Sequence, residues 1–347
     1  MWQTIGQSEA LDLLEHSLRT ANLAHAYILV GAPNIGKMTL ALDLAKAVNC
    51  QQSELPCGEC QSCRRIANGK HADIKIISVS STKDSGEIKP RAEIGIDDIK
   101  ELQHSASLPP YEGKCKVFII DRAEYLSSEA ANCLLKIIEE PPPQVMILLL
   151  TAEELRLLPT VVSRCQRIEL KPMSSEETER TLIASHGVDS DRAMLLARLS
   201  QGCLGWALRV SVDDSYLAQR TQRLTEMSSL LGAGWEERFG YAARLAADRR
   251  SAEETMKLWL GWWHDVMLVK CSCKHAITNV DHTSVLEKWE QVLSLLEIRN
   301  FIKSLQESLN RIAVNANLRL VFETLMLDMP KKEGALRDTL LSPPITI

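Results

Sequence analysis

A glycine-rich stretch near the N-terminus has the residue types and spacing of a loop that binds phosphate groups. Gly31, Gly36 and Lys37 form a G-x4-G-K pattern, which follows the apolar run 26–30 and precedes a segment with helical spacing. In such loops the backbone N–H groups and the helix N-terminus surround phosphates, and the lysine neutralises their charge. The pattern predicts a nucleotide-type phosphate site. The alternative is a glycine turn that enters a helix without any ligand.

Two positions predict that this site hydrolyses nucleotide poorly. The hydroxyl that normally follows the lysine and holds Mg²⁺ is replaced by Met38, and Thr39 comes one position late, which rotates it by ~100° around a helix. A later apolar run ends in Asp121, which could reach a metal ion or be a solvated strand end. Arg122 stands where a water-positioning acid is expected, and an arginine accepts no proton. Glu124 is expected to point elsewhere. The loop is therefore compatible with bound ATP or ADP, without efficient hydrolysis.

An arginine in the sequence Ser-Arg-Cys is the third candidate. Arg164 follows an apolar strand ending in Thr151, at the carboxyl edge where parallel-sheet sites form, and Pro159 is expected to begin the short helix that presents it. An arginine offered across an interface to a γ-phosphate typically accelerates hydrolysis by about 10³–10⁵. A lone arginine is more often a solvated surface charge, and only its position favours the catalytic interpretation. A chain with this arginine and defective catalytic groups is expected to help a neighbouring subunit hydrolyse ATP.

Four cysteines within 14 residues predict a metal site, at Cys50, Cys57, Cys60 and Cys63. Zn²⁺ takes four thiolates tetrahedrally at ~2.3 Å, and Cys-x2-Cys pairs suit such a chelate. An iron–sulfur cluster is the rival, although the usual proline context of that motif is missing. Four free thiols without a ligand are not expected where cysteines are so closely spaced. We expect structural zinc, because four thiolates leave no open position for a substrate.

The elements that position these residues alternate between strand and helix up to residue 170. Apolar runs at 26–30, 74–79, 117–120 and 145–150 predict buried strands. Strands alternating with helices predict an α/β domain with a parallel sheet covered on both faces. Beyond Lys171 every periodic segment is helical, which predicts an all-α remainder.

Breaks in this pattern predict the domain boundaries. The expected order is an α/β domain at 1–170 with a zinc module at 50–63, a small helical domain at 171–215, a larger helical domain at 216–330, and a flexible tail at 331–347. The larger domain is expected to contain helices at Glu253–Val269, Ser284–Leu296 and Asn317–Met329. Its tryptophans Trp259, Trp262 and Trp263 have helical spacing, which favours a core or interface role over nucleotide stacking.

Composition excludes several classes of protein. The 347 residues carry a net charge of −5, so no global basic field attracts nucleic acid or a membrane. No signal peptide is recognisable, and no apolar run reaches the length of a membrane span. Clustered cysteines without a secretion signal favour metal binding over disulfides. We therefore expect a cytoplasmic protein.

The motifs, in this order, resemble the AAA+ clamp-loader family of bacterial DNA polymerase III, and its delta-prime branch in particular. The matching stretches are Gly6-Gln7, His25-Ala26-Tyr27, the four cysteines, the N-x-L-L-K-x-x-E-E-P-P run that begins at Asn132, Ser163-Arg164-Cys165, and Asn315–Glu323. The ATPase branch of the family, tau/gamma, carries a Lys-Thr pair, a second acid and an arginine in the small helical domain. This chain departs from that branch at Met38, Arg122 and Gly205.

The resemblance implies a RecA-like AAA+ domain followed by an all-α lid and an all-α collar. It implies a five-subunit ring with tau/gamma and delta subunits that loads the beta sliding clamp onto primed DNA. Arg164 would act in trans on a neighbour, the four cysteines would hold structural Zn²⁺, and a degenerate nucleotide site would comprise Gly31, Gly36, Lys37, Thr39, Asp121 and Thr151. Two alternatives stay open: an ATP-hydrolysing tau/gamma-type subunit, and a zinc-dependent nucleic-acid binder outside any ring.

Overall fold

The computed structural model describes residues 2–53, 55–79, 93–314 and 316–332. They form two compact units. The first comprises the chain up to Ser174 together with Gly202–Trp206, and the second comprises Ser175–Gln201 and the chain from Ala207 onward. The predicted tail at 331–347 lies outside the described residues beyond Lys332. The predicted boundaries at 171, 216 and 331 stay predictions.

A parallel sheet of five strands forms the centre of the first unit. The strands are β1 (Ala26–Val30), β2 (Ile74–Ile77), β3 (Lys116–Asp121), β4 (Val145–Thr151) and β5 (Gln166–Glu169). Their order across the sheet is β2-β3-β4-β1-β5, and every neighbouring pair is parallel. Val30 lies beside Thr151 in this register, and Asp121 lies beside Leu150. The carboxyl ends of β1, β3 and β4 therefore meet at one edge of the sheet.

Helices cover both faces of this sheet. On β3, Phe118 and Ile120 pack into one apolar cluster, and Val117 and Ile119 pack into the other. Burial on both faces explains why the inner strands β1, β3 and β4 contain uninterrupted apolar runs. The helices of this unit are α1 (Ser8–Arg19), α2 (Lys37–Asn49), α3 (Gln61–Ala67), α4 (Ile96–Ala106), α5 (Ser128–Glu139) and α6 (Pro159–Val162).

The second unit is helical throughout its described residues. Its helices are α7 (Ser175–His186), α8 (Ser190–Leu199), α9 (Leu204–Val212, which begins in the first unit), α10 (Ser215–Leu231), α11 (Trp235–Leu245), α12 (Arg249–Lys270), α13 (Thr283–Val292), α14 (Leu295–Ala313) and α15 (Leu318–Asp328). Trp259, Trp262 and Trp263 are fully buried in its core, as their spacing predicted. None of the helices in the described part of the chain has the length and apolar character needed to cross a membrane.

The predicted fold class is confirmed: an α/β unit with a parallel sheet is followed, in the described residues, by helices alone. Two local predictions need correction. The helix expected at Ser284–Leu296 is interrupted, because Ser294 caps a new helix through a reciprocal pair of hydrogen bonds with Glu297. The edge strand β5 was not predicted, since Gln166–Glu169 contains one buried apolar residue, Ile168.

Candidate functional site

The glycine-rich loop joins β1 to α2 at the carboxyl edge of the sheet, as predicted. Gly36 lies just before α2 with a φ of +113°, a conformation that favours glycine. The Lys37 ammonium donates hydrogen bonds to the carbonyl oxygens of Gly31 at 2.6 Å and Ala32 at 2.9 Å. The loop therefore wraps around its own lysine, and the carbonyls of this chain occupy two of the three ammonium donors.

Two acidic groups, at the end of β3 and in the turn that follows it, influence this lysine. Burial lowers the pKa of Lys37, while the charges of Glu124 and Asp121 act to raise it. Glu124 was expected to point elsewhere, and this is wrong: its Oε1 accepts a hydrogen bond from the backbone N–H of Ala152 at 3.5 Å, just beyond β4. Its Oε2 is buried and has no hydrogen-bond partner among the described residues. The carboxylate of Glu124 therefore lies near the loop, although the sequence pattern predicts an acid at position 122.

The remaining predicted residues of this site differ in their surroundings. Thr151 is fully buried at the end of β4, where its Oγ1 accepts a hydrogen bond from the N–H of Glu153 at 3.1 Å. Its carbonyl accepts a hydrogen bond from the N–H of Gly31 at 3.2 Å, which joins strand end and loop. Thr39 is half-buried on the first turn of α2 and makes no hydrogen bond to the loop within the described residues. Met38 packs against the apolar cluster beneath the loop.

A segment distant in sequence lies directly on the loop. The backbone N–H of Gly205 donates to the Asn34 carbonyl at 3.1 Å, and a Cβ at position 205 would lie 2.6 Å from that oxygen. Any side chain there requires the loop to move. Cys203 lies close enough for its charge to act on Lys37; burial raises the pKa of the Cys203 thiol, and the lysine opposes that shift. The arginine of the ATPase branch, implied at position 205 by the resemblance, is incompatible with this packing.

Arg164 lies apart from the loop, just after α6. Pro159 is the first residue of that helix, as predicted. The guanidinium Nη1 donates to the Thr160 carbonyl at 3.0 Å and to Ser163 Oγ at 3.3 Å, and Nε lies 2.8 Å from the Glu139 carboxylate. The side chain is 41% exposed, so part of its planar fork can reach an anion outside this chain.

Cys165, the last residue of the Ser-Arg-Cys motif, has a packing role. It packs against an apolar cluster beside the sheet, and burial raises the pKa of its thiol to about 12. Such a thiol stays protonated at neutral pH and is a poor nucleophile. Arginine is therefore the residue of this motif that is equipped to act on a charged ligand.

The four clustered cysteines come together, as predicted, at the end of α2, in the loop that follows it and on the first turn of α3. Their sulfur atoms all lie within 4.8 Å of one another, and those of Cys57 and Cys63 are 3.9 Å apart. A tetrahedral ion with Zn–S bonds of ~2.3 Å implies sulfur separations of ~3.8 Å. Gly58 adopts a φ of +78° in the turn between ligands. This group of four thiols could hold a metal ion.

Backbone hydrogen bonds to the sulfur atoms and the lowered pKa of one thiol favour a cation in the cluster. The backbone N–H of Cys60 donates to Cys57 Sγ at 3.3 Å, and that of Cys63 donates to Cys60 Sγ at 3.5 Å. Burial raises the pKa of Cys63 to about 12, whereas Cys60, despite an opposing effect of burial, accepts backbone N–H groups that lower its pKa to about 6. A divalent ion is the kind of ligand that would hold all four groups as thiolates.

Comparisons with known proteins agree with this arrangement. The family model described as DNA polymerase III, delta subunit, matches residues 6–174, which contain the loop, the cysteines and Arg164. The delta' subunit of DNA polymerase III from Bacillus subtilis is 27% identical over 330 residues, covering 92% of this chain and 95% of that subunit. The chain belongs to the clamp-loader family of DNA polymerase III subunits. This clamp-loader subunit is also 34% identical over 238 residues to the tau subunit of Escherichia coli K12, covering 66% of this chain and 35% of tau.

Among solved structures, this clamp-loader subunit is similar to a gamma subunit-related protein of Thermotoga maritima, with 19% identity and a TM-score of 0.45 over 90% of this chain and 97% of that one. It is also similar to the RuvB branch migration motor of the same organism, with 18% identity and a TM-score of 0.40 over 63% of this chain and 64% of RuvB. The chain spans about a third of the length of the Escherichia coli tau subunit.

Proposed function

We propose that this chain is a non-catalytic, delta-prime-type subunit of the clamp loader. In this proposal Arg164 accelerates ATP hydrolysis at a neighbouring subunit by stabilising the negative charge of the transition state. The observation that carries the proposal is the contrast between two sites of the same unit. The guanidinium of Arg164 is partly exposed, whereas the Lys37 ammonium is engaged by the carbonyls of its own loop. An outward-facing arginine suits an anion held by another molecule.

Three positions support a lack of intrinsic hydrolysis. Met38 offers no oxygen to Mg²⁺ and packs against the apolar core. Arg122 is exposed, in a left-handed conformation with a φ of +57°, and cannot activate water. Gly205 lies against the loop where no side chain fits. ATP or ADP could at most bind at Gly31, Gly36, Lys37 and Asp121 without efficient turnover.

We propose that Cys50, Cys57, Cys60 and Cys63 hold a structural Zn²⁺. The sulfur separations suit a single tetrahedral ion, and four protein ligands leave no position for a substrate. An iron–sulfur cluster of several irons divides the four thiolates between two or more iron atoms and needs wider spacing. The role of the metal would be to fold the segment between α2 and α3.

The proposed partners are tau/gamma and delta subunits in a hetero-pentameric ring, with the beta sliding clamp and primed DNA as the substrates of the assembled ring. Support comes from the family and from the delta' relative, which this chain covers almost end to end. The ten cysteines are all free thiols, which suits the reducing cytoplasm. The test is clamp loading by a ring rebuilt from purified subunits. We expect loading only when this chain is included, and equal loading without it would contradict the proposal.

A tau/gamma-type ATPase is the second candidate. Two observations favour it: the higher identity to tau, at 34%, and the position of Glu124 beside the phosphate loop. ATP turnover by the purified chain alone discriminates between the two. We expect no hydrolysis above background, because Met38 and Arg122 remove the metal-binding and water-positioning groups. Turnover that disappears in a Lys37→Ala variant would instead establish the ATPase function.

A further inference from the structure

The carboxylate of Glu139 forms an ion pair with Arg164. Its Oε1 lies 2.8 Å from Arg164 Nε, and the two side chains are 47% and 41% exposed. The opposite part of the guanidinium is held through Nη1 by the Thr160 carbonyl. Within the described residues Nη2 makes no hydrogen bond. The contacts therefore fix two nitrogens of the fork and leave the third nitrogen available to an outside anion.

The location of this acid is unfavourable for the helix that carries it. Glu139 is the last residue of α5 and Glu140 is its C-cap, with Lys136 as the basic residue of the final turn. The helix dipole places partial negative charge at this end, so carboxylates here destabilise the helix. The Arg164 guanidinium offsets that repulsion for Glu139. The His25 ring, 2.8 Å from the Ile138 carbonyl, supports the same helix end.

We propose that Glu139 is a positioning residue for Arg164, which holds the guanidinium so that its Nη2 edge faces the ATP of the neighbouring subunit. This inference rests on the proposed trans-acting role of Arg164. A free arginine side chain samples many rotamers, and fixing it costs conformational entropy. Glu139 and Thr160 hold the side chain in place before the reaction, so this entropy is not lost when the neighbour's phosphoryl group develops charge. Exposed ion pairs contribute little to stability, so Glu139 influences orientation more than folding.

The experiment uses rings rebuilt from this chain, its partner subunits, the beta clamp and primed DNA. Glu139→Ala removes the ion pair, and Glu139→Gln keeps the shape of the side chain but removes its charge. We expect Glu139→Ala to lower kcat for the ATPase at the adjacent interface by roughly 3- to 10-fold, with KM for ATP unchanged. Glu139→Gln should show a similar loss, because the contact with Nε is an ion pair that needs the negative charge. Glu154→Ala is the matched control, because Glu154 forms a comparable ion pair with Arg167 at 2.9 Å.

A double variant separates positioning from a general structural effect. If Glu139 acts through Arg164, adding Glu139→Ala to an Arg164→Ala ring should cause no further loss. An additional loss in that background, an unchanged rate for Glu139→Ala, or a faster one would each overturn the inference while leaving the role of Arg164 intact. Normal hydrolysis by the Arg164→Ala ring would overturn the proposed function and this inference together. Ring size is checked first by size-exclusion chromatography, and the near-isosteric Glu139→Gln covers any failure of Glu139→Ala to assemble.

Discussion

Removal of the metal from the four-cysteine cluster is the perturbation with the largest expected effect on this chain. Cys50 and Cys63 are fully buried, and Cys63 Sγ lies 4.0 Å from the Lys46 carbonyl of α2. The Lys114 ammonium also donates a hydrogen bond to the Cys50 carbonyl, which links the cluster to the loop before β3. Loss of the ion should therefore loosen the segment between α2 and α3 and weaken its attachment to the sheet.

The magnitude follows from linkage between metal binding and folding. At a free zinc concentration a thousand times Kd, binding to the native state adds about 4 kcal/mol to the free energy of unfolding. The first unit comprises residues up to 174 together with 202–206. For a unit of that size each kcal/mol shifts Tm by about 2–4 °C, so chelation should lower the Tm of this unit by about 8–16 °C.

The assay combines metal analysis with calorimetry. The purified chain should contain one zinc ion per molecule, and a strong chelator should remove it and lower the Tm of the first unit. Cys57→Ser should reproduce most of that shift, since Cys57 is half-buried and serine leaves little cavity. Cys273→Ser is the control, because Cys273 is also half-buried but lies outside the cluster. A reduced, metal-free chain with an unchanged Tm would refute the metal site, as would equal shifts for the two variants.

Two further predictions concern packing and pH. Gly205→Ala should lower the free energy of unfolding by about 1–3 kcal/mol in urea denaturation, because its Cβ would overlap the Asn34 carbonyl. Gly240→Ala is the control and should cause no such loss, because a Cβ there meets nothing within 4 Å. Equal effects of the two variants would show that the contact with Asn34 does not matter for stability. Lys332 and the capping Ser294 lower the pKa of Glu297 from 4.5 to about 2. The stabilisation by its carboxylate is therefore present above about pH 4.5 and lost as the pH falls towards 2. Glu297→Gln should lower the free energy of unfolding at pH 7 by less than about 1 kcal/mol, since the side chain is 35% exposed. The difference in unfolding free energy between this variant and wild type should become smaller in acid, and a difference that stays constant would argue against the ion pair.

The centre of the sheet could be predicted because β1, β3 and β4 are buried on both faces and contain uninterrupted apolar runs. β3 and β4 have at most one intermediate position each, and both were expected within two residues of their observed bounds. β5 was missed because Gln166–Glu169 contains a single apolar residue, Ile168, whereas the other edge strand, β2, contains three isoleucines. The break before Ser294 was missed because apolar spacing continues across it, although the Ser294–Glu297 capping pair was a readable signal.

The candidate residues could be predicted individually, whereas the contacts that define their chemistry depend on tertiary structure. Spacing was sufficient for the cysteines, because all four ligands lie within one short segment. It was not sufficient for Glu124, whose direction depends on a turn that begins at Arg122 in a left-handed conformation. Glu139 and Gly205 approach their partners from 25 and 171 residues away in the sequence. No local pattern indicates such pairs, although the two acids at the end of α5 were a visible anomaly.

The most direct test of the account is ATP hydrolysis by rebuilt rings that carry Arg164→Ala. Arg167→Ala is the matched control, since that side chain is 43% exposed, similarly ion-paired, and three positions away. We expect both variants to form intact rings. Hydrolysis at the one adjacent interface should fall by about 10³-fold or more for Arg164→Ala and stay normal for Arg167→Ala. Arg164→Lys should not restore it fully, because an ammonium lacks the planar fork. Normal hydrolysis at that interface by intact Arg164→Ala rings would contradict the account.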